Sequence, residues 1–279
     1  TYASVVIRYT ICLLYFYYRL NCGLLNGVRL ELTNDHPWDI LIFTQNWPPT
    51  VCKEWKEKDT SHTCTLPSKQ ESWTIHGIWP TKLGTIGPAF CNRSWLFDPE
   101  EVQPIESYLT QLWTNVETET STYALWAHEW NKHGTCAAVL EPLNSQMKYF
   151  SKGLEWIVKY MMSSILSDAD ILPTNEKSYD IEDIHNAVQS RLGVNPMIVC
   201  RKEKGKNFMM EMRICFNKQL ELTDCNGILG GLFTNDTVLT NCNKDEGVMY
   251  LKDSTYEEPP NYIYVQLYKL FTWLQWFTL

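Results

Sequence analysis

The sequence lacks several features that would mark it as a common kind of metal-binding or nucleic-acid-binding protein. Its 10 cysteines include no C-x-x-C pair, which argues against zinc ribbons and thioredoxin-type redox sites. It has no excess of positive charge, since the formal net charge is −8 at pH 7, whereas proteins that grip nucleic-acid phosphates nonspecifically are usually basic. A polyanionic substrate would therefore be bound locally or at acidic pH, where carboxylates are neutralised and histidines charged. Internal repeats and low-complexity linkers are also absent, so a repeat architecture is not indicated.

What the sequence does contain is enough apolar material for a folded domain. Its 279 residues fit one domain of generous size or two small ones, and either can bury a core. Aromatic residues make up 13% of the chain, with 12 tryptophans, a composition that disordered chains do not have.

The cysteines and two glycosylation motifs indicate an oxidising, secretory environment. Most of the cysteines fall in the polar, globular part of the chain, which is typical of disulfide-bonded proteins. The triplets that begin at Asn92 and Asn235 match the N-x-[S/T] acceptor pattern. Cys12 and Cys22 lie in the N-terminal segment and are excluded from the expected disulfide framework. The framework cysteines are Cys52, Cys64, Cys91, Cys136, Cys200, Cys215, Cys225 and Cys242.

Both ends of the chain differ in character from the segment between them. Residues 1–35 contain a short apolar run flanked by Arg8 and Arg19, which is either the remnant of a signal peptide or a misassigned N-terminus. Residues 251–279 form an apolar C-terminal extension. Its last 18 residues, 262–279, reach about 27 Å as a helix, and Lys269 lies in the middle of them. No stable membrane span is expected there.

The segment between them predicts strands and helices without a regular alternation. Apolar clusters predict strands at 40–43, 72–80, 196–200 and 208–216, and helical spacing predicts helices at 105–113, 123–133 and 144–166. A further helix is expected over 180–192, with Asp180 as its N-cap and Gly193 as its stop. This mixture predicts an α+β fold.

The segment "HEWNKHGTC", residues 128–136, concentrates candidate catalytic side chains. A zinc site of the H-E-x-x-H type needs its histidines four apart, but His128 and His133 are five apart, which is about 140° around a regular helix. The spacing argues against zinc. Glu129 and His133 share a face, with His128 and Lys132 on the neighbouring one, so the helix offers an imidazole beside a carboxylate and further cations. That set suits phosphoryl chemistry.

Such chemistry needs a second proton-transfer group on the far side of the phosphorus. His76 is the candidate, because it lies at a predicted strand end beside the flexible Gly77, with Trp73 and Trp79 around it. A lone histidine is usually an ordinary core or surface residue, and the tryptophans are usually core. The combination favours a catalytic site.

The two segments "WTIHGIWP" (73–80) and "HEWNKHGTC" (128–136) resemble the two signature segments of the ribonuclease T2 family. The segments "FTQNWPPTVC", "CNRSW", "LNSQMKYF" and "PMIVC" also look like its secreted animal members, and the resemblance covers about residues 36–250. It implies an α+β catalytic domain over 36–250, with helices packed on an antiparallel sheet. It also implies metal-independent cleavage of single-stranded RNA through a 2′,3′-cyclic phosphate, without a cofactor.

The resemblance also implies a role for each candidate residue. His133 would be the general base and His76 the general acid, while Glu129, His128 and Lys132 would stabilise the phosphorane. Base pockets would lie near Trp79, Phe43 and Gln45. The implied disulfides are Cys52–Cys64, Cys91–Cys136, Cys200–Cys242 and Cys215–Cys225.

Two other functions remain open from the sequence. The first is a secreted recognition or signalling protein on a ribonuclease scaffold, and an RNA cleavage assay distinguishes it. The second is a zinc hydrolase, which metal analysis distinguishes. The expected protein is a monomer in the secreted or lysosomal compartment, active at acidic pH, with RNA as its partner.

Overall fold

A computed structural model describes residues 38–68, 72–118, 121, 123–228 and 238–257, together with Leu270 and Trp273. The segment 1–35, the acceptor Asn235 and nearly all of the tail 262–279 fall outside these residues. The predictions of a signal-peptide remnant, of glycosylation at Asn235 and of the tail's behaviour therefore stay predictions.

Eight strands of the described chain form one sheet, and most of its pairings are antiparallel. The central strands lie in the order β2-β1-β5-β4-β7, and the pairs β4–β7 and β5–β8 are parallel. The predicted strands are confirmed. The strands are β1 (Ile40–Asn46), β2 (Thr74–Thr81), β3 (Ser178–Tyr179), β4 (Met197–Glu203), β5 (Lys206–Phe216), β6 (Leu222–Thr223), β7 (Leu239–Thr240) and β8 (Val248–Met249).

Helices pack on this sheet, so the predicted α+β fold class is confirmed. Short 3₁₀ turns occupy Gln103–Ile105 and Glu141–Leu143, and a π-helical turn occupies Trp130–Gly134. The α-helices are α1 (Pro48–Lys58), α2 (Pro99–Val102), α3 (Glu106–Leu112), α4 (Ala124–Glu129), α5 (Thr135–Ala137), α6 (Gln146–Lys159), α7 (Met162–Ser167) and α8 (Ile181–Leu192). Among the described residues, no helix is both long enough and apolar enough to cross a membrane.

The two faces of the central strands have different surroundings. Leu41 and Phe43 of β1 point into the main core beneath the helices, where Phe43 meets Trp156 of α6 with ring centroids 5.5 Å apart. Ile40 and Ile42 point to the opposite face, in a smaller cluster that Trp79 borders. This second face carries the site described below.

One predicted helix is divided in two. The apolar spacing over 144–166 predicts a single helix, but α6 ends at Lys159 and α7 begins at Met162. The Gln45 side chain donates its Nε2 hydrogen to the Tyr160 carbonyl at 2.8 Å, and the Tyr160 ring packs on Phe216. These tertiary contacts hold Tyr160 outside helical geometry. The helix over 181–192 follows its prediction, with an Asp180 side-chain cap and Gly193 at a φ of 76°.

The packed chain continues a few residues beyond 250. Leu251 is fully buried, and its carbonyl accepts a 2.7 Å hydrogen bond from Trp47 Nε1. Tyr256 packs against Phe208 with ring centroids 5.7 Å apart. The first residues of the segment 251–279 are thus part of the packed structure.

The four disulfides implied by the resemblance are all present: Cys52–Cys64, Cys91–Cys136, Cys200–Cys242 and Cys215–Cys225. Asn92, next to Cys91, is exposed, as a glycosylation acceptor must be. Modification there remains a prediction.

Candidate active site

His76 lies in a β-bulge on strand β2. Thr44 of β1 pairs with Gly77 and Gln45 pairs with Ile75, which leaves His76 as the extra residue of β2. Ile75 and Ile78 both enter the core although they are three residues apart. A bulge bends the strand and redirects a side chain, and here it turns the imidazole toward the second face of the sheet.

Strand β2 is an edge strand, and side chains satisfy its outer backbone groups. Trp113 Nε1 donates to the His76 carbonyl at 2.8 Å. The Tyr149 hydroxyl donates to the Ile78 carbonyl at 2.9 Å and accepts from the Ile78 amide at 3.3 Å. Trp113 and Tyr149 are both fully buried. The backbone that carries His76 is therefore fixed on both sides.

The segment 128–136 is helical but not a regular α-helix. Helix α4 ends at Glu129 and continues as the π-helical turn Trp130–Gly134. A π turn joins residues five apart, so it brings together side chains that a regular helix would separate. The rings of His128 and His133 lie 6.3 Å apart. The geometric argument that kept these two histidines on different faces was therefore wrong.

Contacts from the loop 90–97 hold the π turn. The Phe90 amide donates to the Lys132 carbonyl at 2.9 Å, and the Phe97 amide donates to Asn131 Oδ1 at 2.8 Å. Trp130 Nε1 donates to the Trp95 carbonyl at 3.0 Å. The Cys91–Cys136 disulfide joins the same loop to α5. Cys136 therefore has a structural role, as the disulfide implied by the resemblance indicated.

Gly134 lets the backbone of the π turn lie directly against the Trp130 ring. A Cβ atom added there would lie 2.3 Å from Cε3 of the buried Trp130 ring. Any larger residue would displace that ring, which is the anchor of the turn on the loop.

Glu129 is the centre of the site. Its carboxylate is 1% exposed, its Oε2 accepts from Trp79 Nε1 at 2.7 Å, and its Oε1 lies 3.9 Å from His76 Nε2. Oε1 has no hydrogen-bond partner within the described part of the chain. Burial raises the pKa of Glu129 to about 7, although His76, Trp79 and Lys132 act in the opposite direction. The carboxyl group can thus carry a proton at acidic pH and donate it through Oε1.

Gly77 leaves the space that this carboxylate occupies. A Cβ atom at position 77 would lie 1.9 Å from Glu129 Oε2 and 2.3 Å from Trp79 Nε1. The glycine beside His76 is therefore needed for close approach of the strand to the helix, and not only for flexibility.

The two imidazoles on either side of Glu129 have opposite pKa shifts. Burial alone would lower the pKa of His76, but its hydrogen bond with Glu211 and the negative charges of Glu211 and Glu129 raise it above the ordinary value. Burial lowers the pKa of His133 well below its ordinary value, and the cations Lys132, His128 and His76 lower it further. His76 thus favours the protonated state and His133 the neutral one.

His128 and Lys132 lie beside this pair. Although His128 is exposed at the surface, neighbouring atoms partly desolvate its ring, and this desolvation and the charge of Lys132 lower its pKa. Lys132 is half-buried. The structure brings together all five catalytic and phosphate-stabilising candidates, namely His76, Glu129, His133, His128 and Lys132.

His128, Glu129 and His133 also have the geometry to share a metal ion, since one ligating atom from each lies within 4.8 Å of the others. The same close grouping of two imidazoles and a carboxyl group also suits proton transfer without a metal. Absence of a metal from the reaction therefore remains a prediction, and its test is a chelator assay.

Sequence reasoning missed two residues of the site, Glu211 and Arg213 on β5. Glu211 Oε1 lies 2.9 Å from His76 Nδ1, and Arg213 Nη2 lies 2.6 Å from Glu211 Oε2. The guanidinium of Arg213 also lies over the Trp79 ring, 5.1 Å from its centroid. The interpretation of 208–216 as a buried strand gave no role to its charged residues, although two charges inside an apolar run are a signal that they are paired.

The base-binding predictions need correction for two of their three residues. Phe43 and Gln45 are fully buried on the helix-covered face of β1, and Gln45 is bonded to Tyr160. Strand alternation turns both side chains toward the helices and away from the face that carries His76. A nucleotide base bound at that face therefore cannot contact them. Trp79 is half-buried at the site, with its ring centroid 5.5 Å from that of His133, and contact with a base stays a prediction for it.

Two imidazoles whose pKa values are shifted in opposite directions, arranged around one buried carboxyl group, suit proton transfer on both sides of a phosphoryl group. The fold and the site residues are those that the resemblance to the ribonuclease T2 family implies. The sequence profile of the Ribonuclease T2 family matches residues 38–225. The chain belongs to this family, and it is an endoribonuclease.

Relatives from distant animals support this membership. Ribonuclease Oy of Magallana gigas is 38% identical over 193 residues, which cover 68% of this chain and 88% of that protein. Ribonuclease T2 of Homo sapiens is 34% identical over 206 residues, which cover 72% of this chain and 75% of that protein. Among plant relatives from Solanum lycopersicum, ribonuclease LE is named extracellular and ribonuclease LX intracellular.

Solved structures agree with the fold. Human RNase T2 superposes with a TM-score of 0.61 at 30% identity, over 77% of this chain and 99% of that one. RNase NT in complex with 5′-AMP superposes with a TM-score of 0.62 at 26% identity, over 77% of this chain and 98% of that one.

Proposed function

We propose that this protein cleaves single-stranded RNA by attack of the 2′-hydroxyl on the neighbouring phosphate. The first product is a 2′,3′-cyclic phosphate, which a slower step hydrolyses to a 3′-phosphate. The observation that carries the proposal is the convergence of His76 and His133 on the buried carboxyl group of Glu129, and the pKa shifts of the two imidazoles, raised for His76 and lowered for His133, agree with it.

His133 is the general base and His76 the general acid. The low pKa of His133 keeps its imidazole neutral, so it can take the proton from the 2′-hydroxyl. The raised pKa of His76 keeps its imidazole protonated, so it can give a proton to the leaving 5′-oxygen. The bond that forms joins the 2′-oxygen to phosphorus, and the bond that breaks joins phosphorus to the 5′-oxygen.

Glu129, Lys132 and His128 stabilise the phosphorane. Below a pH of about 7 the buried Glu129 carries a proton, and its Oε1, which has no partner among the described residues, can donate to a phosphoryl oxygen. Lys132 supplies a positive charge next to it. Preorganised donors of this kind act where charge develops in the transition state.

The pKa values of Glu129, His76 and His133 predict that the enzyme is most active at acidic pH. As pH rises through the pKa of Glu129, at about 7, and through the raised pKa of His76, both donors lose their protons and activity falls. As pH falls, activity is retained until His133 is protonated, well below the ordinary histidine pKa. Acidic conditions also reduce the repulsion between RNA and a chain whose net charge is −8 at pH 7.

RNA brings its own nucleophile, so the reaction needs a base, an acid and charge stabilisation but no metal or cofactor. The four disulfides support an oxidising compartment. We expect a secreted or lysosomal monomer, glycosylated at Asn92 and Asn235.

The test uses a defined dinucleotide and the same dinucleotide methylated at its 2′-oxygen, with products separated by chromatography at acidic pH. The unmodified substrate should give the cyclic phosphate first, and the methylated one should survive. Cleavage of the methylated substrate, or a product that never passes through the cyclic phosphate, would overturn the mechanism. Failure to cleave any RNA would overturn the function.

A further inference from the structure

A buried carboxylate lies behind His76, and the proposed mechanism does not use it. Glu211 is 6% exposed, and its Oε1 lies 2.9 Å from His76 Nδ1. Its Oε2 accepts hydrogen bonds from Arg213 Nη2 at 2.6 Å and from Arg213 Nε at 2.9 Å. Burial alone would raise the pKa of Glu211, but these interactions with His76 and Arg213 lower it to about 2. Glu211 is therefore ionised whenever the enzyme works.

The unbroken pairing of β1 with β5 sets the position of Glu211, which pairs with Asn46, and a second bulge follows on its other side. Val199 of β4 pairs with Glu211 and Cys200 pairs with Met209, so Met210 is the extra residue on β5. The bulges at His76 and Met210 lie on the two neighbours of β1. The His76 and Glu211 side chains meet on the second face of the sheet, where Asn46 of β1 is the strand partner of Glu211.

An ionised carboxylate can only accept hydrogen bonds. The imidazole must therefore present a hydrogen on Nδ1 to Glu211 in both of its charge states. Nε2, which points toward Glu129 at 3.9 Å, is then the atom that carries the transferable proton. Once that proton has left, His76 remains in the Nδ1–H tautomer with Nε2 free to accept a proton again.

Arg213 links this pair to the other half of the site. It neutralises Glu211 through two hydrogen bonds, and its guanidinium packs on the Trp79 ring. Trp79 in turn donates to Glu129 Oε2. The two carboxyl groups on either side of His76 are thus connected by contacts through Arg213 and Trp79.

We propose that Glu211 is a positioning residue for RNA cleavage, which holds His76 in the tautomer and orientation that deliver the Nε2 proton to the leaving 5′-oxygen. The proposal rests on the function proposed above, in which His76 is the general acid. The Glu211 carboxylate is one of several charged and titratable groups that act on the His76 imidazole. The others are Arg213 from β5 and, from the helix, Glu129, His128, Lys132 and His133.

The test compares Glu211→Gln with Glu54→Gln. Glu54 is also paired with an arginine, Arg201, at 2.8 Å, but this pair joins α1 to β4 and lies outside the catalytic cluster. Each variant is assayed on a dinucleotide and on a 3′-nucleotide ester with a 4-nitrophenolate leaving group. The leaving group of the second substrate departs as a stable anion and does not need a general acid.

Glu211→Gln should lower kcat on the dinucleotide by about 10- to 10⁴-fold, since partners that orient a histidine contribute about 10- to 100-fold at metal sites and about 10⁴-fold in a serine-protease triad. It should keep nearly full activity on the nitrophenyl ester. The alkaline limb of its pH profile should move to lower pH, because the carboxylate no longer favours the imidazolium. In ¹⁵N spectra, neutral His76 should change from the Nδ1–H tautomer to a mixture. Glu54→Gln should change none of these.

Equal losses on both substrates, with the alkaline limb and the tautomer unchanged, would overturn the proposal and leave Glu211 a structural residue. Full activity of Glu211→Gln on the dinucleotide would also overturn it. Failure of the wild-type protein to cleave either substrate would instead overturn the proposed function, so the two failures are distinguishable.

Discussion

Replacing Gly77 with alanine inserts one methyl group between the strand that carries His76 and the helix that carries Glu129. The new Cβ would lie 1.9 Å from Glu129 Oε2 and 2.3 Å from Trp79 Nε1, distances that no real contact shows. The Glu129–Trp79 hydrogen bond, now 2.7 Å long, must therefore break or shift. Because the Glu129 carboxylate is buried, loss of this hydrogen bond should lower the free energy of unfolding by about 1 to 3 kcal/mol.

The effect on catalysis should be larger than the effect on folding. A catalytic group misplaced by about 1 Å costs about 100-fold in rate, and the clash requires a displacement of at least that size in Glu129 or Trp79. We therefore expect kcat/KM on a dinucleotide to fall about 100-fold in Gly77→Ala. The assay is steady-state cleavage at acidic pH, normalised to the folded fraction from urea unfolding.

Gly247→Ala is the matched control, since its Cβ would lie 2.2 Å from Ser178 Oγ, in the β3–β8 region outside the catalytic cluster. It should lose stability but keep its activity per folded molecule. Wild-type kcat/KM in Gly77→Ala would refute the reasoning, as would an equal loss of activity in both variants.

Two further predictions concern the same site, and a third concerns the C-terminal tail. His76→Ala and His133→Ala should each lower kcat by about 10²- to 10⁴-fold with little change in urea unfolding. Glu129→Gln should lower kcat less, because an amide can still donate a hydrogen bond to phosphate. A wild-type rate in either histidine variant would contradict the role assigned to that histidine. EDTA should leave the rate unchanged, whereas a loss that added Zn²⁺ restores would identify a metalloenzyme. A chain ending at Pro260 should fold and cleave RNA like the full chain and be more soluble, and loss of activity in it would show that the tail packs on the core.

The parts of the fold that the sequence predicts are those encoded by local pattern. Helix α8 follows from its apolar spacing together with Asp180 and Gly193, and each of these acts within one turn of the chain. The candidate catalytic residues were predicted from two short segments, 73–80 and 128–136, whose residue types and order match those of the family's signature segments.

The parts that the sequence does not predict depend on contacts between distant segments. The π turn at Trp130–Gly134 is held by the loop 90–97, so a regular helical wheel misplaced His133. The break at Tyr160 is stabilised by Gln45, 115 residues away. The bulge at His76 changes which residues of β2 face the core, which a strict two-residue alternation cannot anticipate.

Glu211 and Arg213 were missed for a related reason. They lie on β5 and meet His76 and Trp79 on β2 only because β1 lies between those strands. Strand alternation places Phe43 and Gln45 beneath the helices, although their position in a segment resembling the family suggested a base pocket. In both cases the pairing of strands that are distant in sequence determined where the side chains lie.

The measurement that tests the central claim most directly is the titration of His76 and His133 by NMR in the uniformly labelled wild-type protein, with signals assigned from the two histidine-to-alanine variants. We predict that His76 titrates above the ordinary histidine pKa of about 6.5 and that His133 remains neutral far below it. With His133 neutral and His76 protonated over the acidic range, the assigned base and acid are each in the required state. If His133 titrated above His76, the two residues would have exchanged roles, and the proposed mechanism would be contradicted.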